Sequence, residues 1–199
     1  IFWVISFTNV VNLMDGLDGL AAGVAGIASI TVILVAIQQG FYPVAVITAA
    51  LAGGIVGFMR YNFNPATIFM GDTGSMFIGY MLAAISIFGA VKSAATIALI
   101  VPAIALGLPI MDTAFAIVRR YTNGRPIFQP DKGHLHHRLL AMGMTQRQAV
   151  LLMYIISAIL GIAAVLLTEV GGYYAVIIIA LIITAVVFGA KKIGILNDR

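Results

Sequence analysis

"AAGVAGIASITVILVAIQ", residues 21–38, contains no charged side chain and no proline. A run of about 18 such residues, rising ~1.5 Å each as a helix, nearly matches the ~30 Å hydrocarbon core of a bilayer. The rest of the chain has the same character. It is 62% hydrophobic and 9% charged, far from the soluble average of roughly half apolar and a quarter charged. Further apolar runs predict spans at 44–59, 75–91, 94–118, 149–168 and 173–190. The expected fold is all-α: a polytopic membrane helix bundle of about six full spans, forming one integral membrane domain over residues 1–199. The opening "IFWVISF", residues 1–7, is too short to cross and reads as the end of a truncated span. The chain does not begin with Met and shows no basic flank or cleavage site of a signal peptide. Cysteine is absent, which removes disulfide frameworks and thiolate zinc sites together.

Charge orients this bundle. If residues 9–20 lie on one side, alternation puts 60–74, 119–148 and 191–199 beside them. That side then holds Arg60, Arg119, Arg120, Arg125, Lys132, Arg138, Arg147, Lys191, Lys192 and Arg199, and the other side only Lys92. The positive-inside rule makes the first side cytoplasmic. The same side collects all three His and most of the acids, so chemistry is expected there.

Three polar clusters stand out. In "NVVNLMDGLDGLAAG", residues 9–23, a helix would align Asn12, Asp15 and Asp18 as one stripe. One acid alone would read as a helix cap; two acids and an Asn beside Gly16 and Gly19 at a membrane surface point to function. In "NFNPATIFMGDTGSMFIG", residues 62–79, Gly71 and Gly74 bracket Asp72 just before a span. Backbone amides there would face an anion while Asp72 holds a cation, an arrangement that suits magnesium. An N-cap by Asp72 or Thr73 is the plainer alternative. No Lys follows the glycines, so a nucleotide-hydrolysing P-loop is excluded. Phe69 faces lipid or offers a ring on which a base stacks. In "DKGHLHHRL", residues 131–139, three His framed by Lys132 and Arg138 suit phosphate oxygens. Zinc is disfavoured by the spacing. The surrounding segment 119–148 reads as turns or a short hairpin, then a short helix closed by Gly143. Asp112, with Pro109 kinking its span, reads as structural. Together the clusters describe phosphoryl transfer at a membrane, with donor and acceptor unnamed.

These three motifs, in this order and separated by spans, resemble the polyprenyl-phosphate N-acetylhexosamine-1-phosphate transferases, glycosyltransferase family 4. The resemblance covers essentially the whole chain. The H-x-H-H pattern after "RPIFQPDKG" is similar to the branch that uses UDP-N-acetylglucosamine to initiate teichoic acid, O-antigen or common-antigen synthesis. The sister branch, phospho-N-acetylmuramoyl-pentapeptide transferase, has three consecutive His, a run that Leu135 interrupts here. The resemblance implies transfer of N-acetylglucosamine 1-phosphate to undecaprenyl phosphate with release of UMP, using magnesium or, in its place, manganese. It implies that Asp72 ligates the metal with Asn12 beside it. Gly16, Leu17, Asp18 and Phe69 would form the uridine pocket, Phe69 stacking on uracil. Asp15 would be an essential acid, and His134, His136, His137 and Arg138 would engage sugar and pyrophosphate. The implied partners are UDP-N-acetylglucosamine, undecaprenyl phosphate and the bilayer of a bacterial cytoplasmic membrane. A homodimer is allowed, and nucleic acid is not expected.

One feature departs from the family pattern: the chain has no adjacent Asp pair, which the family carries on an earlier loop. The 199 residues therefore read as a C-terminal fragment, expected to be inactive alone. Readings from other classes are a transporter, whose broken helices also build polar sites, and a non-catalytic assembly subunit. The acids gather at one surface, which speaks against a translocation path.

Overall fold

The computed structural model describes residues 1–92, 95–124, 126, 133–170 and positions 177, 178, 180–182, 184, 188 and 189. The elements are α1 (Phe2–Met14), α2 (Leu20–Gln38), α3 (Tyr42–Asn62), α4 (Gly71–Lys92), α5 (Ala95–Ala105), α6 (Gly107–Thr122), α7 (Leu135–Ala141) and α8 (Gln146–Leu167). The described residues contain no strand. By length and composition α2, α3, α4 and α8 can each cross a membrane, and α5 with α6 would make a fifth if the bent pair is counted as one span.

The uncharged run 21–38 lies at the centre of the bundle. Leu20, Ala21, Ala22, Val24 and Ala25 of α2 are sealed from solvent, as expected of a helix apolar on all sides. Around it pack α3, α8 and α5, while α1 lies on α4. Apolar side chains on the outer faces of α3 and α8, including Val46, Val56, Ile155, Ile159 and Ile162, are exposed and would meet lipid.

Two seams position the cytoplasm-predicted end. Along α1 and α4, which run antiparallel, Trp3 Nε1 donates to Ser86 Oγ at 2.7 Å and Asn12 Nδ2 donates to Ser75 Oγ at 2.9 Å. Between these ties the backbones nearly touch: a Cβ on Gly79 would sit 2.7 Å from Phe7 O and 2.8 Å from Thr8 Cα. Along α2 and α8, which run parallel, Gly23 makes room for the Tyr154 ring and Gly161 for Thr31. At the far end Gln38 Nε2 donates to Glu169 Oε1 at 3.1 Å, and Thr168 Oγ1 to Gln38 Oε1 at 3.3 Å.

Two expectations need correction. The span 94–118 is two helices bent by 75° at Leu106. Pro109 has no N–H to give the Ala105 carbonyl, and Pro102 already sits inside α5, so the ladder fails between them. The helical stripe through Asn12, Asp15 and Asp18 also breaks, because α1 stops at Met14 and Asp15 is its C-cap residue. Gly19, at φ +79°, turns the chain into α2 in a conformation that side-chain-bearing residues avoid. Neither acid caps α2, whose N-cap is Gly19 itself without a side-chain bond. The short helix closed by Gly143 is present as α7, with that glycine at φ +92°. The expected span 173–190, and the turns or hairpin around 125–132, fall largely outside the described residues.

Candidate active site

The three motifs meet at one end of the bundle, through pairs far apart in sequence. Asn12, in the last turn of α1, donates through Nδ2 to Asp72 Oδ1 at 3.0 Å. Asp72 lies exposed in the first turn of α4, where the helix dipole favours an acid. Asp15 is half-buried, and its carboxyl is raised above its ordinary value first by burial and second by the charge of Asp72. An acid whose ionisation is disfavoured by burial and by a neighbouring carboxylate marks a site whose charge a divalent cation would balance. Among the described residues no group of three or more His, Asp or Glu is placed to hold a metal. Magnesium commonly needs only one or two carboxylates and fills the rest with water and phosphate.

Asp18 does a different job. Its Oδ2 accepts from Asn64 Nδ2 at 3.0 Å and from Ala66 N at 3.1 Å, so the turn before α2 grips the loop 63–70. Asn62, buried at the end of α3, completes the clamp: its Oδ1 accepts from Gly19 N at 3.1 Å and its Nδ2 donates to Ile68 O at 3.0 Å. Arg147 adds a bond from Nε to Asn64 O at 3.0 Å. The loop so held presents Phe69, 75% exposed, beside Gly71. An exposed ring on a clamped loop is a suitable stacking platform. Gly16 and Leu17 lie on the same turn as Asp18.

The His motif reaches this turn from α7. His136 packs on Gly16, where a Cβ would sit 2.6 Å from its Nε2. It is 2% exposed, and its Nδ1 meets no hydrogen-bond partner among the described residues. Burial first, then the neighbouring imidazoles His137 and His134 against an opposing pull from Asp112, lower its pKa from 6.5 to about 4. His136 is therefore neutral near pH 7, able to give or take one hydrogen bond at each nitrogen. His137 is exposed, with its ring centroid 4.2 Å from that of His136. Arg138 donates from Nε to Gly133 O at 3.2 Å.

The low pKa of His136 has a signed consequence for stability. Between pH 6.5 and about 4 the unfolded chain binds more protons at this imidazole than the folded one, so its contribution weakens as pH falls through that window. Thermal unfolding of the intact protein should show a smaller loss between pH 7 and 5 in His136→Gln than in wild type. Equal losses would mean that this ring does not carry the effect.

Asp112 has partners that the sequence does not reveal. Asp112 on α6 accepts from Leu135 N through Oδ1 and pairs with His134 Nδ1 through Oδ2, both at 2.8 Å. A lone acid near two prolines gives no sign of such a partner; only its position within an apolar helix hinted at use. Asn62 and Asn64 likewise stand inside a motif whose pattern gives no sign of the bonds they make.

The chain matches the family model of glycosyl transferase family 4 over residues 1–90. Over all 199 residues it is 41% identical to the "Probable undecaprenyl-phosphate N-acetylglucosaminyl 1-phosphate transferase" of Bacillus subtilis (strain 168), spanning 56% of that protein. It is 44% identical over 161 residues, 74% of this chain and 39% of the relative, to the decaprenyl-phosphate N-acetylglucosaminephosphotransferase of Mycolicibacterium smegmatis. The match to the phospho-N-acetylmuramoyl-pentapeptide-transferase of Enterococcus faecalis, 49% identical, covers 87 residues, 44% of this chain and 27% of the relative. The chain thus spans little more than half the length of the Bacillus relative. With the motifs gathered at one end of a multi-pass membrane bundle and similarity to such a transferase over all 199 residues of this chain, the chain belongs to glycosyl transferase family 4.

Proposed function

We propose that the intact protein transfers N-acetylglucosamine 1-phosphate from UDP-N-acetylglucosamine to undecaprenyl phosphate, at the cytoplasmic face of a bacterial inner membrane. An oxygen of the lipid phosphate attacks the β-phosphorus of the nucleotide sugar, the bond to the α-phosphate oxygen breaks, and UMP leaves. The product, undecaprenyl-pyrophosphoryl-N-acetylglucosamine, would initiate a cell-wall or surface polysaccharide. The observation that carries this reading is the convergence of Asn12, Asp15 and Asp72 with the His136-bearing helix on one turn. The similarity to N-acetylglucosaminyl transferases runs over the full chain, whereas that to the pentapeptide transferase is confined to 44% of it. The excess of Lys and Arg at this end supports the cytoplasmic orientation.

Asp72, with Asn12 beside it, would hold magnesium, and manganese could serve in its place. The ion supplies charge neutralisation for the transferring phosphoryl group. Around it this chain's residues bind and orient. The loop clamped by Asp18 and Asn62 offers Phe69 to the uracil, Gly16 and Leu17 wall the nucleotide side, and His136, His137 and Arg138 meet sugar and pyrophosphate oxygens. Positioning and electrostatics of this kind carry most of the rate in phosphoryl transfer.

The test is UMP release by membranes expressing the intact gene, given magnesium, undecaprenyl phosphate and UDP-N-acetylglucosamine. UMP that forms only when lipid phosphate is present supports the transferase. UMP formed only with UDP-N-acetylmuramoyl-pentapeptide would move the protein to the sister branch. Silence with both donors, together with substrate uptake into vesicles, would favour a transporter.

A further inference from the structure

Of the three imidazoles in the motif, His136 lies on Gly16 and His137 is open to solvent, but His134 pairs with Asp112 of α6. It is 6% exposed, and its Nδ1 lies against Asp112 Oδ2. A carboxylate only accepts, so this nitrogen carries the proton. The other oxygen of the same carboxylate takes Leu135 N–H. One side chain therefore fixes both the His134 ring and the backbone that starts α7.

Such a grip matters because α7 cannot hold itself. It has seven residues and no side-chain N-cap bond of its own, far below the ~12–15 residues at which an isolated helix becomes even marginal. Asp112 approaches from α6, about one and a half turns beyond the 75° bend, so the bend aims the carboxylate. From His134 the arrangement continues to His136, whose ring is parallel within 4° at a centroid distance of 5.9 Å, and from there to Gly16 beside Asp15.

We infer that Asp112 and His134 form a positioning pair that sets His136 and His137 at the turn 15–19, and that His134 does not itself touch substrate. This rests on the transferase reading above, and it removes His134 from the substrate contacts that the family resemblance implies. The deciding experiment is steady-state UMP release by the intact enzyme in lipid nanodiscs. Asp112→Ala and His134→Ala should each lower kcat by about 10- to 100-fold, the scale of a misplaced catalytic group. KM for UDP-N-acetylglucosamine should stay within about threefold, because His134 itself has no substrate contact to lose. The double variant should be no worse than the poorer single one. His134→Asn, whose amide can donate to Asp112, should recover most of the loss. A KM raised about tenfold or more in His134→Ala, additive losses in the double variant, or no rescue by Asn would each overturn the pair.

A second readout is independent of turnover. With 15N-labelled histidine, His134 should carry its proton on Nδ1 in wild type and, at least in part, on Nε2 in Asp112→Asn, where the amide can donate to Nδ1. An unchanged His134 spectrum overturns the pair even if the enzyme is active. If wild type releases no UMP, the proposed reaction falls and this spectrum alone decides the positioning.

Discussion

Asp72→Asn should reduce UMP release by about 1,000-fold at physiological magnesium, or ~4 kcal/mol of barrier. The substitution is nearly isosteric, and the new amide oxygen can still accept from Asn12 Nδ2, which now bonds Asp72 at 3.0 Å. The α1–α4 seam should therefore survive, and the loss would report the missing charge. A second effect should accompany it. Asp72 contributes to the raised pKa of Asp15, so removing its charge should lower that pKa, though burial still holds it above the ordinary value. The acidic limb of the pH–rate profile should move to lower pH wherever Asp15 must be ionised. Wild-type turnover in the variant would show that the carboxylate of Asp72 is dispensable, and with it the proposed metal ligand.

Gly79→Ala should be nearly as damaging without touching the site. Gly79 lies seven positions after Asp72 on α4, or about 10 Å along the axis. The atoms its Cβ would meet are Phe7 O and Thr8 Cα, backbone that has no rotamer in which to retreat. Accommodation must come from α1 moving off α4, an overpacking cost of about 1–3 kcal/mol. The same movement stretches the Asn12 bonds to Asp72 and Ser75. A displacement approaching 1 Å at a reacting centre can cost about 100-fold in rate. Activity should fall on that scale while the variant still inserts and retains its helical circular dichroism. Normal activity would show that the seam relaxes elsewhere and does not set the carboxylates.

Much of this architecture is legible in the sequence because lipid imposes a simple rule: apolar runs of sufficient length become helices. The run at 21–38 corresponds to α2 within one residue. Legibility ends where backbone hydrogen bonding fails, as at Leu106, where two prolines announce a kink without setting its 75° angle. It ends again where partners come from distant segments. The residue types at Asn12 and Asp72 suggest chemistry, but their bond joins positions 60 apart. Asp18 reads as a ligand-facing acid, whereas one of its oxygens is spent on Asn64 and Ala66. Asp112 reads as structural for want of a visible partner, since His134 lies 22 residues away in the sequence.

The parallel pair α2 and α8 bears on what kind of machine this is. Tyr154 bonds Gly19 O at 2.5 Å near one end, Thr31 sits against Gly161 midway, and Gln38 meets Glu169 and Thr168 at the other. Sliding by one residue would break all three registrations together, so the two helices behave as a single stiff spar through the bilayer. Alternating access requires one group of helices to rock against another around a midplane site, and a spar pinned at both surfaces resists that motion. The same stiffness serves a stationary reaction centre, where geometry must hold still while substrates come and go at one face.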